Sequence, residues 1–143
     1  MTMRTLLEGK PKETMTAAGS ETVSVAIQKM VKAKVGALLV TNESNAPVGI
    51  LTERDILRFC SSRADKLSTT PVADIMTKDL VVGTLETSID EAQVLMTQHK
   101  FRHLPIVDDG KIVGIVSIGD LVKARLRETA VEVKYLRDFI AMT

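Results

Sequence analysis

One cysteine, one tyrosine, three phenylalanines and no tryptophan stand in 143 residues. A lone Cys60 can form neither an internal disulfide nor a cysteine-based metal cluster, and a reducing compartment is its simplest setting. We read it as a small apolar side chain near a helix end. An aromatic content of 3% leaves too few rings for the stacking platforms that hold single-stranded nucleic acid. Charge of one sign is lacking too. With 19 basic side chains against 18 acidic ones, nothing argues for nucleic acid or an anionic membrane as the main partner, although a local basic pocket stays open. No apolar run approaches the ~20 residues of a membrane span, and the opening "MTMRTLLEGK" has no apolar core of a secretory signal. The expectation is a soluble, cytoplasmic protein. A Gly-rich phosphate loop and a nucleophile-base pattern are missing as well, so no enzyme is expected. His99 and His103 stand four apart, but a helix end and a strand separate them and no third ligand accompanies them, so no metal is expected.

What is present is an apolar content of 45%, enough for one compact domain with a real core, and a repeat. Shifted by 66, Ala26 meets Ala92, Met30 meets Met96, Lys34 meets Lys100 and Val40 meets Ile106. Beyond the turn the shift is 65: Gly49 meets Gly114 and Asp55 meets Asp120. The lost residue lies between "TNESNAPV" and "VDDGKIV", in turn chemistry, where two copies of one unit tolerate an indel best.

Each copy predicts the order β-α-β-β-α. Apolar residues at helical spacing (Val23, Ala26, Ile27, Met30; Ile89, Ala92, Leu95, Met96) predict one amphipathic helix per copy. Short strands are predicted before these helices at "ETMTA" and "LVVGT". Hairpins are predicted at "ALLVT" with "PVGILT" and at "HLPIVD" with "KIVGIVS". Each hairpin leads into a second helix, at "ERDILRFC" or "IGDLVKARL". The fold class is α/β (α+β). We divide the chain into a first repeat with its N-terminal segment at 1–65, a second repeat at 66–127, and a C-terminal helix at 128–143. A three-stranded sheet with helices on one face leaves the other face bare, so the pair of repeats is the expected folding unit.

"TERD" (Thr52 to Asp55) and "SIGD" (Ser117 to Asp120) sit at the two strand-to-helix junctions. Two readings stay open. A hydroxyl at the N-cap with an acid three places on describes a capping box and suits the helix dipole. Alternatively, the helix N-terminus offers N–H groups to an anion while the Asp accepts from vicinal hydroxyls, which are the two features of a ribose phosphate. On the second reading both Asp residues are exposed groups whose amide variants should fold normally.

The doubled order, the motifs "GILTERDI" and "GIVSIGDL", and the run "FRHLPIVDDGKIVGIVSIGDLV" resemble a tandem pair of CBS domains over about residues 10–127. The resemblance implies a pseudo-two-fold, Bateman-type disc whose clefts bind an adenine nucleotide, AMP, ADP or ATP, as a regulatory ligand rather than a required cofactor. Carried onto this chain, Asp55 and Asp120 would hold ribose hydroxyls and Thr52 and Ser117 would touch ribose or phosphate. Gly36 and Ala37 in the first copy, and Arg102, His103 and Pro105 in the second, would line the clefts. Arg54 in the first turn of its helix fits an anion nearby, or snorkels along an exposed face. Arg102 and His103 alternate on a strand, so one is expected to point away, leaving Arg102 as the phosphate fork. The resemblance also implies a homodimer and a separate regulated protein. Val133, Leu136 and Ile140 form one stripe of the last helix, with Tyr135 and Phe139 beside it, and such a face needs something to dock on.

Overall fold

A computed structural model of the chain describes residues 1–9 and 15–142. The elements are α1 (Met3–Glu8), β1 (Thr16–Ala18), α2 (Val23–Ala33), β2 (Ala37–Thr41), β3 (Pro47–Thr52), α3 (Glu53–Arg63), β4 (Gly83–Thr84), α4 (Ile89–His99), β5 (His103–Asp108), β6 (Lys111–Ser117) and α5 (Ile118–Met142). The β-α-β-β-α order therefore occurs twice. No helix among the described residues is long and apolar enough to cross a membrane.

Local chemistry repeats with the elements. The Thr22 hydroxyl accepts from the Val25 amide at the start of α2, and Ser88 accepts from Glu91 at the start of α4, the expected use of a hydroxyl N-cap. Both helices end on a lysine in left-handed backbone, Lys34 at φ 57° and Lys100 at φ 58°. Val23, Ala26 and Met30 are buried on α2, as are Ile89, Ala92 and Met96 on α4.

Each sheet has three strands, in the orders β1-β2-β3 and β4-β5-β6, with the first strand parallel to the second and the third antiparallel. The first hairpin turns through a loop where the Asn42 side-chain oxygen accepts from the Ser44 and Ala46 amides. The second uses Asp109-Gly110, both at positive φ, which suits a tight two-residue turn. This is where the repeat shift changes from 66 to 65. Each hairpin is bulged at the same place: the register slips between Val40 and Thr41 and between Ile106 and Val107. Val48 and Val113 are the extra residues, and both stand exposed.

Alternation sorts the strand side chains into layers. Leu38, Val40 and Leu51 face the helices of the first repeat, with Ala26 and Met30. Their neighbours Ala37, Leu39 and Ile50 face the other sheet and meet Ile112, Val107 and Ile115 there. The two sheets thus cover each other's bare faces, which is why the pair is the unit.

Short segments cross over between repeats. Helix α1 opens the chain, yet Met3 is fully buried with Ile89, Leu104 and Val116 of the second repeat, and Leu6 and Leu7 pack beside it. The segment 72–76 precedes the second repeat, yet Val72, Ile75 and Met76 complete the core of the first. A six-residue helix without a side-chain cap has little stability of its own. Burial of a methionine, about 1.5–3 kcal/mol, holds it together with the Met3 and Arg4 amides, which donate to the Thr87 and Leu85 carbonyls.

Three elements differ from expectation. The strand anticipated over "LVVGT" shrinks to Gly83–Thr84, since only these residues find a partner on β5. The strand anticipated over "ETMTA" is Thr16–Ala18, its first residues lying outside the described ones. The C-terminal helix is a continuation of α5, because neither Gly nor Pro interrupts the chain after Asp120.

Candidate functional site

The two junctions share one geometry and differ in their surroundings. At the first, the Thr52 hydroxyl accepts from the Asp55 amide at 3.2 Å, and the Asp55 carboxylate accepts from the Thr52 amide at 3.0 Å. At the second, Ser117 accepts from the Asp120 amide at 3.1 Å and the Asp120 carboxylate accepts from the Ser117 amide at 2.8 Å. Both are reciprocal capping boxes, built with Asp where Glu or Gln is usual. The capping reading of the hydroxyl and the acid therefore holds at both sites.

Beyond the caps the symmetry fails. Asp55 is only 8% exposed, and the Thr77 hydroxyl, from the segment joining the repeats, donates to both its oxygens at 3.1 and 3.3 Å. The expectation of an exposed Asp55 is corrected here: the joining segment lies over it. Asp120 is half-buried. The position matching Thr77 in the first copy falls within residues 10–14, outside the described ones.

Residues flanking the junctions are also held by matched bonds. The Glu53 amide donates to the Gly36 carbonyl at 3.1 Å, and the Ile118 amide to the Arg102 carbonyl at 2.9 Å. Strand pairing sets Ala37 opposite Thr52 and His103 opposite Ser117. Gly36 also borders an apolar groove between α2 and α3, where a β-carbon would lie 3.2 Å from Glu53 Oε1.

A cleft between the repeats brings several of these positions together. Its walls are Ile50 and Thr52 from the first repeat and Asp79, Leu80, Val81, Phe101, Arg102, His103 and Pro105 from the second. Thr52, Arg102, His103 and Pro105 thus meet, while Gly36, Ala37, Arg54, Asp55, Ser117 and Asp120 do not line this cleft. Arg54 is exposed in the first turn of α3. Arg102 and His103 both line the cleft, against the expectation that one would point away. The reason is that β5 begins only at His103; Arg102 lies in the bend before it, where strand alternation does not apply.

The sequence reading missed Ile50, Asp79, Leu80, Val81 and Phe101. The last four flank the second repeat's strands without belonging to them, and only the approach of the other repeat makes them a wall. No group of three or more His, Cys, Asp or Glu side chains among the described residues could hold a metal ion. His99 and Phe101 instead stack ring on ring, with centroids 5.8 Å apart.

The sequence model of the CBS domain matches residues 12–62 and again 72–127. The chain belongs to the CBS-domain family. Its two CBS domains lie in tandem and form the pair of face-to-face sheets described above. It is 40% identical over 124 residues to the CBS domain-containing protein CBSX3, mitochondrial, of Arabidopsis thaliana, a match covering 84% of this chain and 60% of the plant protein. The chain thus spans less than two thirds of that relative. Among solved structures, the CBS-domain protein ATU1752 of Agrobacterium tumefaciens superposes with a TM-score of 0.82 at 31% identity, over 87% of this chain and 99% of that one. CBSX2, solved in complex with AMP, superposes with a TM-score of 0.76 at 29% identity, over 90% of this chain and 98% of that one.

Proposed function

We propose that this CBS pair is a non-catalytic regulatory sensor that binds an adenine nucleotide of the AMP, ADP or ATP class in the cleft between its repeats. The observation that carries the reading is the composition of that cleft: an exposed Arg102 and a half-buried His103 beside an apolar wall of Ile50, Leu80, Val81 and Pro105. An apolar wall suits a purine ring, and a guanidinium suits a phosphate. The AMP bound by the related CBSX2 supports the same ligand class. The neighbouring junction of Ser117 and Asp120 is our candidate for the ribose hydroxyls. Occupancy would be read by a separate protein in the cytoplasm or by association of two copies.

Calorimetric titration with AMP and with adenosine tests this. The parent should bind AMP more tightly, and Arg102→Ala should lose that advantage by about 1–3 kcal/mol, the scale of a charged hydrogen bond. Equal affinities for the two ligands would remove the phosphate role. A second reading, a ligand-free assembly scaffold, is favoured by the apolar exposure along α5, and absence of any nucleotide binding would select it.

A further inference from the structure

Helix α5 has 25 residues, of which only Leu121 and Ala124 are buried. Beyond Ala124 it extends roughly 27 Å, at about 1.5 Å per residue, with every described residue but Glu128 exposed to solvent. This extension is not polar. Val122, Leu126, Thr129, Val133, Leu136 and Ile140 recur alternately four and three residues apart, with Leu126 at 64% and Ile140 at 69% exposure. We propose that this stripe is the seam of a parallel two-stranded coiled coil with the α5 of a second copy of the chain.

The spacing is the first argument. A repeat of 3.5 residues keeps one seam facing a partner helix along its whole length, which a 3.6-period surface stripe does not. Side-chain shape is the second. Leu126, Val133 and Ile140 take one set of seam positions and Val122, Thr129 and Leu136 the other. Over the last two heptads this puts β-branched residues at the first set and leucine at the end of the second, the arrangement that favours two parallel strands. Thr129 fits such a seam because its hydroxyl already donates to the Arg125 carbonyl at 3.0 Å. It presents its methyl group without leaving an unsatisfied donor.

Charge decides the orientation and the partner. Lys123, Ala130 and Arg137 flank the seam on one side, and Arg125, Glu132 and Phe139 flank it on the other, with Arg125 already paired to Asp90 and Glu128 of its own chain. In a parallel pair Glu132 of each chain reaches Arg137 of its mate, twice by two-fold symmetry. An antiparallel pair centred on Ala130 would instead set Lys123 against Arg137 of its mate, two like charges. Val131, Tyr135 and Phe139 form a different stripe, above the face that buries Leu121 and Ala124, and their spacing of four and four drifts off any seam.

The pairing does not rest on nucleotide binding, so it is tested on the full chain without ligand by sedimentation velocity. The parent should run at twice the chain mass, and Leu136→Glu should weaken association at least tenfold while its far-UV circular dichroism stays that of the parent. Tyr135→Glu, on the opposite face, should remain paired. With Cys60→Ser as background, Val133→Cys should oxidise to a cross-linked dimer, since equivalent seam residues face each other only in a parallel, in-register pair. A parent that sediments as a single chain, or a Leu136→Glu variant that stays dimeric, overturns the proposal. So does a dimer lost with Tyr135→Glu, or with Leu57→Glu at the groove between α2 and α3, in place of Leu136→Glu. Failure of Val133→Cys to cross-link overturns the parallel arrangement.

Discussion

The Thr77 hydroxyl donates to the Asp55 carboxylate, tying the segment between the repeats to the cap of α3 in the first repeat. The two repeated Asp residues are therefore unequal. A buried carboxylate that loses a partner costs about 1–3 kcal/mol, so Thr77→Val and Asp55→Asn should each lower stability by that amount in urea titration. Asp120→Asn, at a half-buried cap, should cost less. Equal losses for Asp55→Asn and Asp120→Asn would mean that Thr77 adds nothing.

Asp120→Asn should act on ligand instead. If Asp120 grips the ribose, nucleotide affinity should fall by about 1–3 kcal/mol while the melting temperature without ligand moves little. Calorimetry on both Asp variants separates the two roles.

The lysines that end α2 and α4 sit in backbone that costs a residue with a β-carbon about 1–2 kcal/mol. Glycine removes that cost but loses more entropy on folding. Lys34→Gly and Lys100→Gly should each raise stability by about 0.5 kcal/mol, read from the denaturation midpoint at constant slope.

Gly49 and Gly114 face the crossed-over segments. A β-carbon there would lie 2.5 Å from Met76 Sδ and 2.6 Å from Leu7 Cδ2 respectively. Both are ends of flexible side chains, so Gly114→Ala should cost about 1 kcal/mol rather than abolish folding. Pairing it with Leu7→Ala should show a coupling of about 0.5 kcal/mol or more in a double-mutant cycle. Strict additivity would mean that α1 leaves the second sheet in solution.

Partial burial works against ionisation of Glu21, but Lys29 and the Ala18 amide hold its carboxyl below the usual glutamate range. A folded pKa depressed in this way stabilises the protein above the unfolded value, about 4.3, and the contribution is lost as pH falls through the folded one. Glu21→Gln should therefore be less stable than the parent near neutrality and converge with it in acid. Thermal melts across that range check the convergence.

Much of this architecture was legible because it is written twice. Helix faces, hairpins and the Thr/Ser-x-x-Asp junctions rest on spacings of three, four and two residues, and these operate locally. Helix α1 was not legible. Its six residues have no capping side chain, and what fixes Met3 is the core around Ile89 and Val116, far along the chain. The cleft was half legible for a related reason. Arg102, His103 and Pro105 were named from their place beside a strand, whereas Asp79 to Val81 and Ile50 become a wall only when the second sheet meets the first. Capping was one of two readings left open for the junction Asp, and both boxes form, but the lid that Thr77 places over Asp55 comes from the joining segment, whose sequence carries no periodic signal.

The crossing of α1 and residues 72–76 also orders events in time. A chain made from its N-terminus produces α1 well before its cover, since the core around Met3 is complete only once β6 and the start of α5 have formed, more than a hundred residues later. The first repeat likewise waits for Val72 and Met76 before its core closes. Neither half can finish by itself, so a cut between Arg63 and Pro71 should release two fragments that each lack a plug the other carries. Mixing them should restore the fold, and the same reciprocity gives two copies a route to exchange repeats if they meet while still opening.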